Sequence, residues 1–119
     1  MYRFYFERLD VWNNSRELTK SIYEASASFP SSELYGLTSQ LRRSSVSIAS
    51  NIAEGFSRNT DKEKLRFINI SYSSLWETLN HLILCKDLGY LNNKTYEDIR
   101  EESEIIARQL SGLMKSLKQ

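Results

Sequence analysis

Residues that break helices are almost missing from this chain: one proline, Pro30, and four glycines, Gly36, Gly55, Gly89 and Gly112, in 119 residues. Three of the glycines fall where an apolar pattern of helical period starts or stops. A chain so poor in breakers is confined to long helices joined by few loops. Its length suits one domain, 1–119, with a single core. Its 40% apolar and 26% charged residues are in the balance of a globular protein rather than a disordered or fibrous one.

Apolar spacing predicts four helices. Val11, Ser15, Leu18, Ile22, Ala25 and Phe29 follow a 4-3-4-3-4 spacing that puts them on one stripe of a helix over 10–28. Pro30 ends it, since the residue before a proline is pushed out of the α region. A second helix runs from 33 or 37 to 54, with Gly55 standing where a left-handed residue would close it. Thr60-Asp61-Lys62-Glu63 has the form of a capping box and opens a third helix. Its inward stripe reads Leu65, Ile68, Tyr72, Leu75, Leu79 and Leu82, and Gly89 supplies the stop. Asn92 or Asn93 caps a fourth helix, in which Tyr96, Ile99, Ser103, Ile106, Leu110, Leu113 and Leu117 keep a 3-4 alternation. Acids early and bases late in this helix suit its macrodipole. Four amphipathic segments with short connections predict an all-α, antiparallel up-down-up-down four-helix bundle. Tyr2, Phe4 and Phe6 alternate too briefly for a strand, and 1–9 reads as an N-terminal arm.

The second helix carries more than one core needs. Leu37, Leu41, Ser44, Ile48 and Ile52 share one face, while Val46, Ala49, Ala53 and Phe56 fall on another. The second face is either the margin of a wide interior stripe or a subunit interface, since small residues at 3-4 spacing let another helix approach. Phe67, Ile70, Leu84 and Leu88 lie off the inward stripe of the third helix and add to the spare apolar surface, which favours a homo-oligomer. Between these faces runs a polar row, Gln40, Arg43, Ser47, Asn51 and Glu54. It is a solvated side or, being rich in short chains and amides, a hydrogen-bonding seam or binding groove.

Signals for chemistry are sparse. There is no glycine-rich phosphate loop, no CxxC pair and no nucleophile elbow. His81 and Cys85 share a helix face but have no second pair at metal-ligand spacing, so they read as ordinary helix-surface residues. Ser74, Leu75 and Trp76 stand where an arginine would complete an RNase-type Arg-x4-6-His motif. Glu54 and Glu77 are candidates for a carboxylate pair across two helices, with capping or inter-helix hydrogen bonding the simpler role. These absences predict a protein that is not an enzyme and takes no cofactor or metal. No apolar run approaches the roughly 18 residues of a membrane span. One cysteine and an N-terminus without an apolar signal core favour the cytoplasm.

The net charge of +1 gives no strong overall attraction for a polyanion. Locally, Arg42, Arg43, Arg58, Lys62, Lys64 and Arg66 gather in sequence around the connection between the second and third helices. Glu54, Asp61 and Glu63 offset half of them. They are solvated charges flanking a loop or a nucleic-acid contact, with Arg58, Lys62 and Lys64 off both apolar stripes.

Longer stretches carry a resemblance. Phe6-Glu7-Arg8-Leu9-Asp10-Val11-Trp12, the run from Phe29-Pro30 to Arg42-Arg43, and Ser47-Ile48-Ala49-Ser50-Asn51-Ile52-Ala53-Glu54-Gly55 closely resemble the 23S ribosomal RNA intervening-sequence protein family. Arg58, Arg66-Phe67, Ser73-Ser74-Leu75-Trp76-Glu77 and Leu88-Gly89-Tyr90-Leu91 extend the resemblance over nearly the whole chain. It implies a small cytoplasmic bacterial helix bundle whose relatives form ring-like pentamers. A more distant similarity connects the family to accessory proteins of diversity-generating retroelements, which bind a reverse transcriptase and nucleic acid. Ser44-Ser45 and Ser71-Tyr72-Ser73 depart from the usual alanines and glycine, which leaves the packing around the third helix open. The resulting expectation is a non-catalytic, homo-oligomeric scaffold binding RNA or a nucleic-acid-processing partner. The alternative is a protein-interaction module with no nucleic-acid affinity.

Overall fold

Each helix is set by its own stripe and caps. The computed structural model describes residues 1–119 and contains four α-helices and no strand: α1 (Asp10–Ser26), α2 (Leu37–Gly55), α3 (Asp61–Asp87) and α4 (Asn93–Leu117). Short 3₁₀ turns at Tyr5–Arg8 and Ser31–Glu33 precede α1 and α2. Asn92 caps α4, its side chain accepting from Thr95 N at 2.8 Å. Thr60 caps α3 by accepting from Glu63 N at 3.2 Å, but only half of the expected box forms, because the Glu63 carboxylate turns instead to Arg66 at 3.4 Å. Gly89 ends α3 with φ of 81°, the one positive φ in the chain.

Gly55 has a different reason from the one its position suggests. It is the last residue of α2 rather than a left-handed residue beyond it. A side chain there would meet Phe67 Cβ at 3.1 Å and Lys64 O at 3.3 Å, so glycine is what lets α2 and α3 approach at this end.

The stripes of α1 and α4 are buried nearly as expected: Val11, Ser15, Leu18, Ile22 and Phe29 from the first segment, and Tyr96, Ile99, Ser103, Ile106 and Leu110 from the last. With Leu41, Ile48 and Ile52 of α2 and Ile68, Leu75 and Leu82 of α3, their apolar members form one continuous core. The third helix departs from expectation. Leu65, Tyr72 and Leu79 are only half buried, while Phe67, Ser71, Ser74, Thr78, His81 and Cys85 are buried. Phe67 therefore belongs to the interior, not to spare surface, and His81 and Cys85 are not surface residues.

The cause is the α2–α3 seam, where side chains are small and polar. Ser71 Oγ donates to Ile48 O at 2.8 Å, Thr78 Oγ1 to Ser44 Oγ at 2.9 Å, and the Ser47 and Ser74 hydroxyls lie 2.9 Å apart. Small side chains bring two backbones close, and the hydroxyls of Ser44, Ser47, Ser71, Ser74 and Thr78 each find a partner. The position numbers fall on α3 as they rise on α2, so the two run antiparallel. The same holds for α1 with α2, through Thr19 to Ser45 O and Arg42 to Ser26, and for α1 with α4, through Asn14 to Gln109 and Ser21 to Glu102.

Candidate functional site

The bundle presents an α1–α2 groove, an α1–α4 groove and a cationic end. Val46, Ala49 and Ala53 of α2 face Trp12, Arg16 and Lys20 of α1 across a groove of about 380 Å³, with Phe6 of the arm at its side. Small residues on α2 leave it open, and Val46 stays 41% exposed. Phe56, expected on the same face, sits apart under the arm: its ring stacks on Tyr5 with centroids 5.4 Å apart. Arg16 lies 4.9 Å from the Trp12 ring centroid, so the rim of the groove is cationic.

On another side, α1 and α4 enclose a groove of about 690 Å³ lined by Glu24, Asp98, Glu101 and Glu102 over Ile99 and Ile105. Glu102 is half buried and accepts from Ser21 Oγ at 3.1 Å. Burial pushes its carboxyl above the usual range; the Ser21 hydrogen bond opposes this, and the nearby Glu17, Asp98 and Glu24 add to the rise.

The basic residues separate into two groups. Arg58, Lys62, Lys64 and Arg66 lie at the α2–α3 turn. Arg42 and Arg43 sit more than three turns back along α2, about 20 Å from it at 1.5 Å per residue. Arg42 is engaged with α1, donating from Nε to Ser26 Oγ at 2.8 Å and lying 4.6 Å from the Tyr23 ring centroid. At the turn, Arg58 and Arg66 both stack on Phe67, at 4.7 and 4.5 Å from its centroid. Arg58 is thus a cover for the core residue Phe67 as well as a surface charge, which its place off the apolar stripes hid. Lys64 is half buried beside Phe56 and Tyr5, and Lys62 is exposed.

The polar row of α2 divides in a similar way. Ser47 belongs to the α2–α3 seam, and Asn51 donates from Nδ2 to Ser47 O at 2.9 Å and Oγ at 3.0 Å. Gln40, Arg43 and Glu54 are exposed. The fuller seam, with Ser44, Ser71, Ser74 and Thr78, lies one step around the helix. Its signal in the sequence is the serine and threonine spacing 71, 74, 78 on α3.

Glu54 and Glu77 do not meet. Residue 54 lies at the level of 64–67, as the Gly55 contacts fix, and Glu77 is ten or more residues further along α3, about 15 Å away. Glu77 Oε2 is instead 3.3 Å from His81 Nε2. Glu54 offers its backbone oxygen to Ser57 Oγ at 2.6 Å. His81 Nδ1 and Thr38 Oγ1 are buried without a hydrogen-bond partner in the chain. The Cys85 thiol is pushed up to about 11, by burial first and by Glu33 second, and so is protonated and unreactive near neutral pH. Glu33 accepts from the Tyr90 hydroxyl at 2.9 Å, and that hydrogen bond is the main reason the Tyr90 phenol titrates above its ordinary value. No group of three or more His, Cys, Asp or Glu side chains is placed to hold a metal ion. No helix is long and apolar enough to cross a membrane.

These features define a class: a small all-helical bundle with a serine-lined internal seam, outer grooves at α1–α2 and α1–α4 and cations gathered at one turn. Within that class the chain belongs to the 23S rRNA-intervening sequence protein family, whose model matches residues 7–112. Its fold is similar to a crystal structure from Bacteroides thetaiotaomicron VPI-5482, of a protein with unknown function from the S23 ribosomal protein family. The TM-score is 0.80 and the identity 25%, over 88% of this chain and 98% of that one. No curated protein matches the sequence.

Proposed function

We propose that this chain is a non-catalytic, self-associating scaffold of the cytoplasm, an up-down-up-down bundle that holds nucleic acid at its α2–α3 end. The observation that carries the reading is the pair of guanidiniums on Phe67. Arg58 and Arg66 are held on one ring beside Lys62 and Lys64, so the forked donors of Arg58 stand ready for phosphate with less ordering left to do on binding, while Arg66 Nε and Nη2 already meet the Glu63 carboxylate at 3.4 and 3.5 Å. The N-terminus of α3 adds its positive dipole end. Glu63 shares Arg66, which limits the patch and suits a site that works by repetition around an oligomer.

Self-association is supported by the α1–α2 groove. A second copy suits it because the rim is cationic at Arg16 and Lys20 while the same chain carries the acidic α1–α4 groove, so contact between copies brings opposite charges together. The five-subunit rings implied by the family resemblance would repeat the α2–α3 patch five times.

The test is RNA affinity measured across salt concentrations. Phosphate contacts give a log-log slope of about −0.7 per contact on single strands or −0.9 on duplex. Lys62→Glu with Arg66→Glu should flatten that slope and weaken every sequence alike. A wild-type protein without affinity at low salt would instead favour a protein-interaction module working through the α1–α2 groove. Light scattering checks the assembly: the wild type should exceed one subunit, and Ala53→Glu should return it to one subunit with its helicity intact.

A further inference from the structure

We infer that the polynucleotide held at the α2–α3 end is single-stranded, its bases stacking on the aromatic arm that precedes α1 while its phosphates follow the turn. The inference rests on the nucleic-acid reading above and adds the form of the ligand. Tyr2, Phe4 and Tyr5 are 75%, 59% and 60% exposed, three rings within four residues that contribute little to the core. Contiguous apolar exposure of this kind marks a surface that something covers.

The arm is ordered, not loose. Arg3 donates from Nη2 to Glu7 O at 2.9 Å, and Phe4 N donates to the Glu7 carboxylate at 3.0 Å. Its rings are already in contact: Tyr2 meets Phe4 edge-on at 5.1 Å, Phe4 lies nearly parallel to Phe6, with an interplanar angle of 9° and centroids 6.4 Å apart, and Phe6 meets Trp12 edge-on at 4.9 Å. That spacing of Phe4 and Phe6 is wider than a closed stack, and exposed π-faces accept bases whatever their identity.

What ties the arm to the cations is Tyr5. Its ring stacks on Phe56, two residues before Arg58, and Tyr5, Phe56 and Lys64 line one cavity of about 480 Å³. Stacking surfaces and phosphate partners therefore converge on one end of the molecule, the two halves of a single-strand site. A duplex fits poorly, because its paired bases are stacked on each other and offer no free face.

Fluorescence anisotropy at low salt, with labelled oligouridylate, oligodeoxythymidylate and a duplex of equal length, tests this. Both single strands should bind more tightly than the duplex, and the RNA and DNA arms identify which is preferred. Replacing Tyr2 and Phe4 together by alanine should weaken single-strand binding about tenfold or more and leave the salt slope unchanged. The two rings lie outside the bundle, so circular dichroism should be unaltered, and the aromatic swap Tyr2→Phe with Phe4→Tyr should keep the wild-type affinity. Equal affinity for duplex and single strand, or a double alanine variant that binds as the wild type does, would overturn the inference and leave the phosphate patch standing. A double alanine variant whose only change is oligomer size would also overturn it and assign the arm to subunit contact. Absence of binding by every probe would overturn both readings together.

Discussion

The α2–α3 and α1–α4 seams join neighbouring helices of the same bundle in opposite ways. Between α2 and α3, glycine and hydroxyl residues let the backbones close and satisfy one another across the interface. Between α1 and α4, longer side chains hold the helices around an open acidic groove, crossed by Asn14 to Gln109 and Ser21 to Glu102. Amphipathic stripes are common to both. Closeness therefore comes from the residues flanking the stripe, and the two seams should answer the same substitution differently.

The largest difference is expected on adding volume. Ser71→Leu should destabilise the fold by about 1–3 kcal/mol or more, since the fully buried site has no room and Ile48 O loses its donor. Ser21→Leu, which enlarges a residue beside the open groove, should stay within about 0.5 kcal/mol. Urea unfolding of both variants at one protein concentration measures the contrast. Equal costs would mean that the seams are packed alike.

A smaller effect should follow loss of one hydroxyl. Thr78→Val keeps the shape but removes the bonds to Ser44 Oγ and Ser74 O, at a cost of about 1 kcal/mol in the same assay. A neutral result would assign the closeness of α2 and α3 to packing alone.

The smallest effect belongs to the acidic seam, and its sign is opposite. Glu102 has a folded pKa raised above its ordinary 4.5. Its contribution is most favourable below that ordinary value and is lost as the pH climbs through the raised one. Glu102→Gln, which keeps an acceptor for Ser21, should stabilise the protein near neutral pH by less than about 1 kcal/mol. It should also remove part of the decline in stability on leaving the acid range, measured by thermal melts at stepped pH. A loss of stability at neutral pH would show that the carboxylate is better satisfied than its surroundings imply.

Much of this architecture is legible in the sequence alone. Helix limits came within a few residues because Pro30, Gly89, Thr60 and Asn92 act locally, and the stripes of α1 and α4 followed because large apolar residues repeat there without competition. The face of α3 was legible only in part: Ile68, Leu75 and Leu82 lie in the core with Tyr72 and Leu79 against it, but the closest neighbour is met by Ser71, Ser74 and Thr78, and a search for apolar period is blind to serine. His81 and Cys85 were drawn inward by the same rotation. The basic cluster was half legible. Arg58, Lys62, Lys64 and Arg66 are close in sequence across a turn, but Arg42 and Arg43 are separated from them by helix rise, and only the fold reveals that Arg42 is spent on Ser26 and Tyr23. The value of Phe67 as a platform for two arginines needed the third dimension altogether.

The unequal seams also set an order of assembly and disassembly. The partners that cross between α2 and α3 are 23 to 34 residues apart in the chain, whereas those between α1 and α4 are 81 and 95 apart. Closing the shorter loops sacrifices less chain entropy, so the central hairpin should form ahead of the α1–α4 pair. In the folded protein the same asymmetry runs backwards. The α1–α4 groove is where the bundle should open first, so amides of α1 are expected to exchange with solvent deuterons before those of the hairpin.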